Sequence, residues 1–195
     1  MLKGLKVATV MAAGALALAA CGSSSSSTSS TSPSASASKS DVKVGLAYDI
    51  GGRGDQSFND AAAAGLDKAA SELGVEVKEL EAAAGETDAQ KEERLTTLAE
   101  AGYNPIIAVG FAYAVSLGKV APQFPDVDFA IVDDASLSEK NKNVVSLVFA
   151  ENQGSFLVGA IAAQASKTGN IGFIGGVNVP LIQKFQAGYV AGAQA

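Results

Sequence analysis

Tyr48-Asp49-Ile50-Gly51-Gly52-Arg53-Gly54-Asp55-Gln56-Ser57-Phe58-Asn59-Asp60 is the stretch whose reading decides the fold. It follows Val42-Lys43-Val44-Gly45-Leu46-Ala47, which alternates with the period of a strand. It runs into Phe58, Ala62, Leu66, Ala69 and Leu73, spaced as one face of a helix. Glycines let the chain turn tightly from strand to helix. In an open α/β sheet such a loop lies beyond the carboxyl end of a strand, where ligands bind. Asp49, Phe58 and Asn59, an acid, an aromatic and an amide, are therefore candidate ligand contacts. Ser57 with Asp60 three residues on predicts a capping box at the start of the helix.

Working outward, strand and helix patterns alternate. Strands are expected over 42–48, 75–80, 105–109, 127–132, 144–150 and 170–174. Helices are expected over 58–73, 88–101, 112–121, 152–167 and 181–195, with Gly74 and Gly102 as stops. This alternation predicts βαβ units and a doubly wound, mostly parallel sheet with helices on both faces. Phe111, just past the third strand, joins the candidate contacts. Asp133 and Asp134 close the fourth strand, where Asp is a common turn former, and one of them is expected to face the cleft. Glu151 and Asn152 read as a helix start, with a place at the cleft as the secondary reading, and Phe156 and Leu157 as core. Residues 41–169 read as a first lobe. One strand and one helix over 170–195 read as the truncated start of a second, expected to be poorly packed.

The chain has 195 residues, 48% of them hydrophobic, enough for a real core. Its first 20 residues are of another kind. Lys3 and Lys6 form a basic start, residues 7–20 are apolar, and Leu18-Ala19-Ala20-Cys21 matches a lipobox. The apolar run is short for a membrane span and reads as a signal peptide. The match implies lipid on Cys21, the single cysteine, and anchoring outside the cytoplasm. Residues 21–40 are mainly Ser, Thr, Ala and Gly and read as a flexible tether.

Removing Lys3 and Lys6 from the 14 basic residues leaves 12 against 20 acidic ones. That balance argues against nucleic acid, whose phosphates require clustered Lys and Arg. There is no His. Zinc-type sites and Ser–His or Cys–His catalysis are thereby set aside. The Arg53-Gly54-Asp55 tripeptide is too short to carry meaning by itself.

Five blocks then occur in one order: Asp49–Asn59; Ile131-Val132-Asp133-Asp134; Phe149-Ala150-Glu151-Asn152-Gln153-Gly154-Ser155-Phe156-Leu157-Val158-Gly159; Gly172-Phe173-Ile174-Gly175-Gly176; and Phe185–Gly192. Together, behind a lipobox, they resemble the basic membrane protein family of substrate-binding lipoproteins. The resemblance covers residues 41–195, about the first half of a mature member. It implies a two-lobed type I periplasmic-binding fold that closes on a purine nucleoside and hands it to an ABC permease. It also implies a membrane-anchored, extracytoplasmic monomer with no enzymatic activity and no cofactor. On the matched positions, Phe58 stands where an aromatic stacks on the purine. Asp49, Asn59 and Asp133 stand where polar groups face the cleft. The alternatives are a binding protein for a sugar or other small metabolite, and a ligand-sensing surface lipoprotein.

Stacking on Phe58 suits any planar base, and carboxylates and amides suit base edges and hydroxyls. Asp49, Asp55 and Asp60 on one loop would repel a phosphate, which favours a nucleoside over a nucleotide.

Overall fold

A computed structural model describes residues 40–195, which fall within one compact unit. The leader, the lipidation residue Cys21 and the serine-rich segment read from the sequence lie outside the described residues.

Five strands, β1 (Lys43–Ala47), β2 (Glu76–Leu80), β3 (Ile106–Ala108), β4 (Phe129–Val132) and β5 (Val144–Leu147), form one parallel sheet in the order β2-β1-β3-β4-β5. The crossovers are α1 (Phe58–Leu73), α2 (Asp88–Glu100) and α3 (Ala114–Val120). A short 3₁₀ turn at Phe111–Tyr113 precedes α3. The period of a strand assigns residues to faces. Ala47, Ile106, Ala108, Phe129 and Ile131 pack under Leu95, Leu98, Leu117 and Val120 of α2 and α3. On the other face Leu46, Tyr48 and Val109 pack against Ala63 and Leu66 of α1. The expected doubly wound sheet is present.

Among the described residues the α1 face is covered only near β1. On β5, Val145 and Leu147 point to that face and stay 58% and 45% exposed.

Two further helices follow, α4 (Glu151–Ala165) and α5 (Pro180–Gln194), and they lie tightly against each other. Glycine makes this possible. A Cβ at Gly159 would collide with the Tyr189 carbonyl, at Gly188 with that of Asn152, and at Gly192 with that of Phe156. Three bare Cα positions thus let two backbones approach directly.

Several expectations are corrected. Residues 170–174 form no strand, because an extended segment needs a hydrogen-bonded neighbour and none of the five strands pairs with it. Ile174 is accordingly 99% exposed. The helix that follows is not loosely packed, since its glycines seat it on α4. Phe156 and Leu157 are not core, at 38% and 63% exposed: both border an open groove between α4 and α5 that also takes in Ala187, Gly188 and Ala191. The capping box at Ser57 and Asp60 does not form. A capping box stands instead at α2, between Thr87 and Gln90.

Candidate functional site

The chain runs from β1 out to the edge strand β2, then returns to β3 on the other side of β1. Loops leaving β1 and β3 therefore diverge, and a crevice opens beyond their carboxyl ends. Asp49 and Phe111 sit on those two loops. Asp133 follows β4, and Phe149 follows β5.

The β1 loop is tied down from within. Asp55 accepts from the backbone N–H groups of Ser57 (2.8 Å), Asn59 (3.0 Å) and Asp60 (3.1 Å), satisfying the open start of α1. Burial works against the Asp55 anion, but these donors outweigh it and hold its carboxyl below the ordinary value. Asp60 accepts in return from Gly54 and Gln56. The Arg53 fork reaches Asp67 on α1 (2.9 Å) and Glu79 on β2 (2.6 Å). Both charged members of the Arg53-Gly54-Asp55 tripeptide are thus engaged inside the molecule.

Asn59 is 2% exposed. Its Oδ1 accepts from the Asp49 N–H at 3.1 Å, and its Nδ2 donates to the Asp49 carbonyl at 3.2 Å. The Asp49 carboxylate accepts from the Ile50 N–H at 2.8 Å and lies against Gly110. Gly110 has φ 99°, and a Cβ there would stand 2.8 Å from Asp49 Oδ2, so only glycine lets the β3 turn press in. Beneath it the Tyr113 hydroxyl donates to the Tyr48 carbonyl at 2.8 Å, fastening the β3 turn to the β1 loop. Burial lifts Tyr113 to about 12, against the pull of Arg94.

Two cavities open above this scaffold. The first, about 590 Å³, is aromatic: Phe58, Phe149, Phe173, Phe185 and Tyr189 line it with Asp133, Glu151 and Ser155. Phe58 is 46% exposed and meets Phe149 edge-on, ring centroids 5.7 Å apart. The second, about 520 Å³, runs between the β3 and β4 loops and the start of α5, and includes Phe111, Asp134 and Lys184. Asp133 and Glu151 line both.

Asp133 has φ 68°, uncommon for a residue with a side chain and concentrated at functional positions. Burial raises its carboxyl above the ordinary value, and the charges of Glu151 and Asp134 add to the rise while Lys184 opposes it. Glu151, 5% exposed, accepts from the Phe149 N–H at 3.2 Å and pairs with Lys184 Nζ at 3.7 Å. Among the described residues no group of three His, Cys, Asp or Glu is arranged to hold a metal.

Of the residues singled out in the sequence, Phe58 and Asp133 share the first cavity, and Phe111 and Asp133 the second. Asp49 and Asn59 line neither and stand behind the crevice, braced on each other. Sequence reasoning missed Phe149 and Lys184 and took Glu151 first as a helix start, with a place at the cleft second. Phe149 ends a strand pattern and Glu151 opens a helical one. An acid two residues after an aromatic, where a strand pattern gives way to a helical one, was the signal available.

An archaeal ABC solute-binding protein of known structure, from Aeropyrum pernix, is 38% identical and superposes with a TM-score of 0.65 over 78% of this chain and 43% of its own. This likeness identifies the sheet as that of a type I periplasmic-binding fold. An uncharacterized lipoprotein of Pyrococcus furiosus is 38% identical over 160 residues, 78% of this chain and 38% of its own length. The ABC transporter nucleoside-binding protein BmpA of Lactococcus lactis is 34% identical over 162 residues, 80% of this chain and 44% of its own. The chain thus spans less than half the length of these relatives. With the profile of the Bmp family, ABC transporter substrate-binding protein PnrA-like, matching residues 42–195, the chain belongs to that family of substrate-binding proteins.

Proposed function

We propose that this chain is the ligand-capturing part of an extracytoplasmic, lipid-anchored binding protein that takes up a purine nucleoside for an ABC importer. One observation carries the ligand class: Phe58, a large apolar side chain, is left half-exposed at the mouth of an aromatic cavity, with the Phe149 ring at 78° to it. A base stacked on Phe58 would meet Phe149 edge-on, an arrangement aromatic rings favour. Asp133, on the same wall, is placed to accept from a base N–H or a sugar hydroxyl. Asp49 and Asn59 act by shaping the loop that presents Phe58.

The nucleoside-binding relative in Lactococcus lactis supports this reading, as do relatives described as lipoproteins. Lipid on Cys21 would hold the protein at the outer face of the membrane, with residues 21–40 as tether. The close packing of α4 on α5 supports a boundary between lobes before α4. Capture is then closure of the α4–α5 side over the β-strand loops, in a monomer, and the closed form is what a permease recognises.

Thermal unfolding of the full chain against nucleosides, bases, nucleotides and sugars tests this. A ligand bound only by the folded state adds about 2.7 kcal/mol at a hundredfold excess over Kd. A shift with adenosine, inosine or guanosine that Phe58→Ala reduces supports nucleoside capture. A shift with sugars alone replaces the ligand class, and no shift with any of them removes the transport role.

A further inference from the structure

We propose that the second cavity is a chamber of the same ligand site, built to hold an uncharged apolar substituent on the sugar of the bound nucleoside. The proposal rests on the nucleoside reading and extends it to a ligand class, nucleosides with an apolar appendage.

The first reason is continuity. Asp133 and Glu151 line both cavities, so a ligand whose ring stacks on Phe58 in the first can extend its remaining atoms past the Asp133 edge, toward the second space. The second reason is the wall. Phe111, Val115 and Val148 lie around it at 37%, 56% and 49% exposed, and Val179 and Pro180 close it from the start of α5. Apolar side chains left in contact with water on three separate elements gain when an apolar group covers them. The volume, about 520 Å³, far exceeds what a lone hydroxyl needs.

The third reason is charge. The charged part of this wall is Asp133, Asp134 and Glu151 against Lys184 alone. Lys184 is already turned to Glu151 at 3.7 Å, and Asp134 to the N–H and hydroxyl of Ser136 at 2.8 and 2.7 Å. A phosphate here would face more carboxylate than ammonium. A thioether or alkyl group would bring no charge and cover the valines.

Calorimetric titration of the full chain with adenosine, 5′-methylthioadenosine and adenosine 5′-monophosphate tests the assignment. Expected is binding of adenosine, binding of the methylthio compound about tenfold tighter or better, and weaker binding of the monophosphate. Filling the chamber from either wall, with Val115→Trp or Val179→Trp, should bring the ratio of the first two affinities to about one. Two variants on separate elements guard against one simply misfolding. Equal or weaker binding of the methylthio compound while adenosine binds, or tighter binding of the monophosphate, overturns the second chamber and leaves nucleoside capture standing. Failure of adenosine and the methylthio compound alike overturns both.

Discussion

Phe58, at the first turn of α1, and Phe149, just past β5, meet edge to face with centroids 5.7 Å apart and ring planes at 78°. Both remain about half exposed, so the pair is not core. Phe58→Ala should therefore leave the melting temperature of the unliganded protein nearly unchanged. It should weaken nucleoside binding by about 1–3 kcal/mol, roughly 5-fold to 150-fold in Kd. Calorimetry alongside thermal unfolding separates the two effects, and a large loss of stability would return Phe58 to a packing role.

Asp133 predicts a trade between stability and binding. Its carboxyl titrates above the ordinary value because burial, Glu151 and Asp134 disfavour its anion, with Lys184 the one opposing charge. Ionised Asp133 thus destabilises the fold at neutral pH, and the penalty is relieved as pH falls through the raised folded-state value. Asp133→Asn should raise the melting temperature at neutral pH, with a gain that shrinks in acid, and should weaken ligand binding. Asn also tolerates φ 68°, so the variant adds no backbone strain. Unchanged affinity would show that Asp133 does not touch the ligand.

Glu86 has the opposite sign. Burial works to raise its carboxyl, but the hydrogen-bonded Arg94 fork and its charge outweigh burial and hold it below the ordinary 4.5. Its stabilising contribution is complete above that ordinary value and is lost as pH falls through the depressed folded-state one. Glu86→Gln should lower the melting temperature at neutral pH, and the gap from the parent should close at acid pH. A gap independent of pH would mean that lost packing, not the ion pair, is being measured.

The glycines between α4 and α5 predict a sharp contrast. Gly159→Ala or Gly192→Ala drives a methyl into a facing carbonyl and should destabilise by about 1–3 kcal/mol. Gly65→Ala, in α1 with open space around it, should stabilise by about 0.5–1 kcal/mol. Denaturant titration of the three variants checks this. Equal effects at Gly65 and Gly159 would count against direct backbone contact.

Arg53 is exposed, and surface pairs contribute little to global stability. Its two partners lie on α1 and β2, however, so it pins the loop from outside. Arg53→Ala should leave global unfolding nearly unchanged, speed hydrogen exchange at residues 52–57, and weaken ligand binding a fewfold. Raising the salt concentration should mimic the variant in part. Unaltered exchange would mean that the Asp55 and Asp60 hydrogen bonds hold the loop without it.

The sequence alone determined the parallel sheet, its helices and the loop at Asp49–Asn59. These follow from periodicity, glycine stops and spacing, which act between neighbours along the chain. Phe58 was legible as an aromatic at a strand-to-helix loop, and the structure leaves it half-exposed at the first cavity. Only the tertiary structure decided what the polar residues do. Asn59 read as a ligand contact and in the structure grips the main chain of Asp49, while Glu151 read first as a helix start and also forms the shared wall of two cavities. The absent strand at 170–174 and the glycine-seated α5 were equally beyond the sequence. Whether an extended segment is a strand, or a helix is docked, depends on a partner far along the chain, and local pattern carries no record of that partner.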